Sequence, residues 1–232
     1  MTALGLSSGC EPRLDAAALA RLTLDCGGTA VDLRADKGQG WEPGGLRAVR
    51  AGGVSVAFVG IGAVLGDPGH PADSVAGPLL EHGTAVKVFA ARGCTGPGAF
   101  ERTREQVRAL AGAVGGPELV LVETHHGYAP VAELLELHRR TGVRILLDTM
   151  GLARLDDDPV GSARLLAAYT AAAQVKGFDW AAPQTSRHRP LSEGAGPTRE
   201  LLARLPDLIS VTVESKAGTP AEDLALLRDW LA

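Results

Sequence analysis

Four stretches of this 232-residue chain place a side chain able to hold a proton or a cation against an apolar run. Leu119-Val120-Leu121-Val122 runs into Glu123-Thr124-His125-His126, Ile145-Leu146-Leu147 into Asp148-Thr149, and Val211-Thr212-Val213 into Glu214. Gln174-Val175-Lys176 opens a fourth run. A carboxylate that follows three or four apolar residues is costly to bury unless a cation pairs with it. Three carboxylates aimed at one place repel one another, and a divalent ion removes that repulsion. Oxygen donors of this kind suit Mg²⁺ or Mn²⁺ first, with Co²⁺ or Zn²⁺ also compatible. Taken singly, each acid reads equally well as an ion-paired loop residue; the grouping is what points to a metal.

The elements that must position these groups alternate. Strands are expected at Leu4–Ser7, Ala30–Arg34, Val54–Val59, Ala85–Ala90, Leu119–Glu123, Val143–Asp148, Gln174–Phe178 and Ile209–Glu214. They are short and rich in β-branched residues, as suits strands buried on both faces. Helices are expected at Leu14–Asp25, Gly44–Ala51, Ala72–His82, Gly98–Val114, Val131–Arg140, Ser162–Ala173, Thr198–Leu205 and Ala221–Leu231. Phe100, Val107, Leu110 and Val114, for example, are spaced 7, 3 and 4, a helical period. Eight strand-then-helix units predict an α/β fold closed into one (β/α)8 barrel over residues 1–232, with short loops. An open doubly wound sheet would carry a glycine-rich phosphate turn, and Gly60-Ile61-Gly62 is an incomplete one. In a barrel the C-terminal strand ends converge on one mouth.

Val122-Glu123-Thr124-His125, Leu147-Asp148-Thr149, Gln174-Val175-Lys176 and Val213-Glu214 together resemble the xylose isomerase-like barrels. That superfamily comprises sugar isomerases and epimerases, inosose and dehydroshikimate dehydratases, and endonuclease IV. The resemblance spans nearly the whole chain and implies one divalent metal held by a Glu, an Asp, a His and a second Glu from the last four strands. By position these are Glu123, Asp148, Gln174 and Glu214. It also implies Glu123 and Glu214 as the acid/base pair flanking a metal-chelated hydroxy-ketone. Two departures stand out. The usual strand-seven His-x-Lys-Asp reads Gln174-Val175-Lys176-Gly177, and Gly151 stands where many members place His or Asn.

Other residues offer themselves to a substrate. Arg34 ends strand two and could hold a carboxylate, phosphate or hydroxyl, or pair structurally with Asp32 or Asp36. His125 or His126 could enter the mouth. Lys176 shares a strand face with Gln174. Arg187 and His188, in the loop after strand seven, could close over an anion, and Trp41 and Trp180 could form apolar walls.

Composition narrows the partners. A net charge of −4 argues against general affinity for nucleic acid or anionic membrane, leaving a small polyol or keto-sugar as the expected ligand. Three widely spaced cysteines, no basic-then-apolar leader and no long apolar run predict a reduced cytoplasmic protein. A homodimer is compatible with all of this. The expected function is a metal-dependent sugar isomerase or epimerase. The alternatives are a dehydratase of a cyclic keto-polyol, and a non-catalytic binding barrel. The six histidines, with none at the strand-seven position, argue against DNA repair of the endonuclease IV type.

Overall fold

The computed structural model describes residues 2–75, 77 and 79–231. Eight parallel strands close in sequence order: β1 (Ala3–Ser7), β2 (Ala30–Arg34), β3 (Ser55–Leu65), β4 (Val86–Ala90), β5 (Val120–Glu123), β6 (Arg144–Asp148), β7 (Thr170–Val175) and β8 (Ser210–Val213). The closing pair is β1 with β8, Leu4 opposite Val211. This is the (β/α)8 barrel expected.

The helices around it are α1 (Ala16–Asp25), α2 (Gly45–Ala51), α3 (Ala72–Val75), α4 (Phe100–Val114), α5 (Val131–Thr141), α6 (Thr149–Leu155), α7 (Pro159–Leu166), α8 (Ala195–Leu202) and α9 (Pro220–Leu231). Local chemistry sets their ends. Asp15 caps α1 by accepting from Ala18 N–H at 2.8 Å. Gly142, at φ 79°, stops α5 in the left-handed conformation that glycine adopts without strain. Among the described residues, no helix is long and apolar enough to cross a membrane.

The strand period of two divides each strand between two cores. Outward residues such as Val31, Leu33, Val122, Ile145 and Leu147 pack beneath the helices in one continuous apolar shell. Phe58, Leu121, Leu146 and Ala172 form a separate cluster. Each stands two residues before Gly60, Glu123, Asp148 or Gln174, so this cluster fills the barrel interior beneath the mouth.

Three elements differ from expectation. β7 begins at Thr170 and ends at Val175, where the sequence suggested a strand starting at Gln174 and a helix running to Ala173. Ala171-Ala172-Ala173 favours helix locally, but all three are buried in the sheet, and burial overrides the helix propensity of alanine. β3 runs on through Gly60-Ile61-Gly62 to Leu65, so that glycine pair is strand and not a phosphate turn. The helix expected over Ala72–His82 is a single turn; residues 79–82 are not helical, and positions 76 and 78 lie outside the described residues. One helix was not foreseen: α6 follows directly on Asp148.

Candidate active site

The mouth contains a cavity of about 230 Å³ whose wall includes Asp32, Arg34, Lys87, Glu123, Gln174, Lys176 and Glu214. The strand period puts these side chains there. Asp32 and Arg34 alternate with outward Val31 and Leu33, and Lys87 and Phe89 with Val86 and Val88. Register sets their heights: Asp148 is opposite Gln174, and Gln174 opposite Thr212.

Lys176 is the hub. Its side chain is about one-tenth exposed, and its ammonium donates to Asp148 Oδ2 and, at 2.7 Å, to Glu214 Oε2. Burial alone would lower its pKa, but the charges of Asp148, Glu214 and Glu123 outweigh burial and raise it, so the ammonium is permanent. Glu214 has a cation on each oxygen, with Arg34 Nη1 at 3.0 Å from Oε1. Burial pushes this carboxyl up, yet Lys176 and Arg34 pull harder and hold it at about 2. Arg34 therefore pairs with Glu214 across the mouth, and with neither Asp32 nor Asp36.

Asp148 also has both oxygens engaged. Oδ1 accepts from Gly151 N–H at 2.6 Å, capping α6, while Oδ2 faces Lys176. A side chain has no room at position 151: a Cβ there would lie 2.1 Å from the Thr124 carbonyl oxygen. Glu123 differs. Its Oε2 meets Lys87 Nζ at 2.5 Å, and its Oε1 has no donor within hydrogen-bond distance among the described residues. Lys87 also lies 4.0 Å from the centre of the Phe89 ring.

On the floor, Asp32 is fully buried, accepts from Ser7 Oγ at 2.7 Å, and accepts from Gln174 Nε2 at 3.1 Å. Burial, and then the charge of Glu214, push its carboxyl up to about 7 against those hydrogen bonds. Even with Asp32 ionised, the four carboxylates of the mouth (Asp32, Glu123, Asp148, Glu214) meet five cations (Arg34, Lys87, Arg154, Lys176, Lys216), so no positive charge is wanting.

The four residues expected to hold a divalent metal therefore do not fit one. The repulsion that called for a metal is answered by ammonium and guanidinium groups. Asp148 and Glu214 each have both oxygens engaged, and Gln174, its amide nitrogen donating to Asp32, has only a neutral amide oxygen to offer. Among the described residues no cluster of three or more His, Cys, Asp or Glu side chains is arranged to hold a metal ion.

The remaining expected residues divide. His125 lines the cavity, its ring edge-on to Phe89 at 5.3 Å, while His126 is exposed and stacks on His125. His188 reaches the cavity with Nδ1 buried and unpaired among the described residues; burial and then the Lys176 charge lower its pKa. Arg187 is exposed and is not part of the cavity wall. Trp41 is buried in the apolar shell and Trp180 packs on Phe178, so neither is a wall; Phe58, Phe89 and Met150 supply the apolar surface. Arg154 donates to the carbonyls of Pro183 and Ser186, tying down the loop that carries His188. Asp32 and Lys87 were missed as site residues, although a charged residue between apolar neighbours in a strand signals an inward-facing position.

No protein-family model matches the chain, and no curated protein matches significantly. Solved structures match in fold. The 3-keto-D-glucoside 4-epimerase YcjR of E. coli superposes with a TM-score of 0.71 at 15% identity, covering 99% of both chains. The probable 3-DHS dehydratase AsbF of Bacillus anthracis gives 0.65 at 15%, covering 98% of this chain and 99% of that one. D-psicose 3-epimerase of Clostridium cellulolyticum H10 gives 0.63 at 18%, covering 98% and 91%. The likeness is one of fold, the closed (β/α)8 barrel.

Proposed function

We propose that the mouth binds a small keto-sugar or keto-polyol and moves a proton between neighbouring carbons, as a sugar isomerase or epimerase does. The observation that carries this reading is Glu123: a buried carboxylate on the cavity wall with one oxygen on Lys87 and the other free. The carbohydrate epimerases that share the fold support the substrate class.

The free Glu123 oxygen takes a proton from the carbon beside the substrate carbonyl. The C–H electron pair becomes the C=C bond of an enediolate, and the carbonyl π pair moves to oxygen. Lys87 and Lys176 are ionised donors fixed at the same wall, and such preorganised charges stabilise a developing oxyanion without reorganising. An ammonium has three N–H groups, and Lys176 spends two on Asp148 and Glu214, leaving one for the substrate. Glu123 then returns the proton to the former carbonyl carbon while the hydroxyl proton passes from the neighbouring oxygen to the former carbonyl oxygen, which completes an isomerisation. Inversion at one carbon needs a second proton carrier on the other face. Glu214 is the available group, but both its oxygens are ion-paired, so isomerisation is favoured over epimerisation.

Incubation with a panel of keto-sugars and keto-polyols in D₂O, read by proton NMR and mass, tests the reading. Deuterium next to the carbonyl, lost in Glu123→Gln with unchanged circular dichroism, is the expected result. A product lighter by one water would assign the dehydratase reaction instead. Ligand binding without exchange, unchanged in Glu123→Gln, would leave a binding barrel and sink the enzymatic reading.

A further inference from the structure

We infer that the ammonium of Lys176 is the built-in cation of this barrel mouth, standing among Glu123, Asp148 and Glu214 in the electrostatic place of a divalent ion and keeping one out. The inference concerns metal exclusion alone and holds whatever the substrate proves to be.

Three independent features of the mouth support it. The first is the state of the oxygens. Asp148 gives one to the Gly151 N–H and one to Lys176, and Glu214 gives one to Arg34 and one to Lys176. A metal ion could take those oxygens only by displacing a buried ammonium that both acids share. The second is Gln174. Its register, opposite Asp148 and Thr212, gives it the height of a ligand, but its amide nitrogen donates to Asp32 across the floor. A neutral amide oxygen is in any case a weaker transition-metal ligand than imidazole. The third is charge. Arg34, Lys87 and Lys176 already pair with the acids, and Arg154 and Lys216 also line the cavity, so a divalent ion would enter a mouth whose cations already outnumber its carboxylates.

Lysine and glutamine therefore act together. The lysine, which the usual strand-seven pattern also carries, neutralises the acids, and the glutamine puts a neutral amide, its nitrogen tied to Asp32, where that pattern has an imidazole. A mouth built this way keeps its charge balance whatever the supply of metal.

The test needs no substrate. Full-length wild type, Lys176→Met and Lys176→Met/Gln174→His would be stripped of metal and titrated with Mn²⁺. Free Mn²⁺ is read by electron paramagnetic resonance, with melting temperature as a second readout. Wild type is expected to leave Mn²⁺ free and its melting temperature unmoved. The double variant is expected to bind one ion about tenfold or more tightly than wild type, and to melt higher with Mn²⁺. One Mn²⁺ per wild-type chain, lost in Asp148→Asn, would overturn the inference. So would a folded double variant that binds no better than wild type. Where Lys176→Met does not fold, Lys176→Gln replaces it. Elemental analysis of purified wild type and Asp148→Asn gives the same answer without titration, because a divalent ion retained by the first and lost from the second would place a metal where the Lys176 ammonium stands.

Discussion

The Gln174 amide donates to the Asp32 carboxylate at 3.1 Å, joining strand seven to strand two across the floor of the barrel mouth. The contact fixes the direction of the one residue that departs from the expected metal-ligand pattern. It also bears on a carboxyl that makes no ion pair among the described residues: Asp32 accepts from Ser7 and Gln174 and has the Thr212 hydroxyl beside it, all neutral groups. Removed from water and close to Glu214, it holds its proton up to about pH 7.

That shift makes Asp32 a pH-dependent cost to the fold. The unfolded chain releases this proton near the ordinary aspartate value of about 4, while the native protein keeps it to about 7. Between those values the native state binds more protons, so stability falls as pH rises through the window. Asp32→Asn cannot ionise. Its advantage over wild type should be near zero at pH 4 and grow to as much as about 4 kcal/mol at pH 8. Urea unfolding at the two pH values measures the difference, and an advantage independent of pH would contradict the assignment.

Lys176→Met leaves Asp148 and Glu214 facing each other with their shared ammonium gone. Breaking a buried pair by removing one partner costs about 3–5 kcal/mol, because the remaining charge is uncompensated. We expect a loss of that size at neutral pH. The gap should narrow as the solution is acidified, since a carboxylate without its cation can take up a proton. A loss below about 1 kcal/mol at pH 7 would mean that solvent enters the mouth freely and the ion pairs carry little.

Much of this arrangement was legible in the sequence where the strand pattern was strict. Glu123, Asp148 and Glu214 each end an apolar run; Glu123 and Glu214 line the mouth, and Asp148 meets Lys176 just behind it. Asp32 and Lys87 carried the same signal in a less obvious form: each sits inside a strand between apolar residues that face outward. Asp32 was instead read as a partner for Arg34, which shares its strand face, but the guanidinium reaches Glu214. Which cation meets which acid could not be read at all. That depends on the closure of β1 on β8 and on the reach of lysine and arginine stems across the mouth, and Arg34 and Glu214 are 180 positions apart. Strand seven was misplaced because three alanines carry no strand signal of their own; only burial on both faces identifies them.

Gly151 offers a test of the strand-six turn. A Cβ at this position would sit 2.1 Å from the Thr124 carbonyl oxygen, a backbone atom that cannot swing aside. Its N–H also holds Asp148 in place. Gly151→Ala should therefore destabilise by about 3 kcal/mol, at the upper end of overpacking costs. Gly112→Ala is the control. It lies in α4 with open space around it and should stabilise by about 0.5–1 kcal/mol. Equal effects of the two substitutions would mean that the turn yields where the structure is rigid.

Glu214 predicts the acid limb of stability. Its carboxyl is held at about 2 in the native protein, because Lys176 and Arg34 outweigh its burial, and it returns to about 4.5 when the chain unfolds. A depressed carboxyl stabilises the fold above its unfolded value and loses that contribution as pH falls toward its native one. The shift corresponds to about 3 kcal/mol, present at neutral pH and lost between about pH 4.5 and 2. Glu214→Gln removes this titration. The variant should be less stable than wild type at pH 7, and its stability should fall less steeply below pH 4.5, so that the two curves converge in acid. Chemical unfolding at half-unit steps from pH 6 to 2.5 would show this. Parallel curves would mean that Arg34 and Lys176 do not hold this carboxyl ionised, and the ion-paired mouth would have to be redrawn around Glu123 and Lys87.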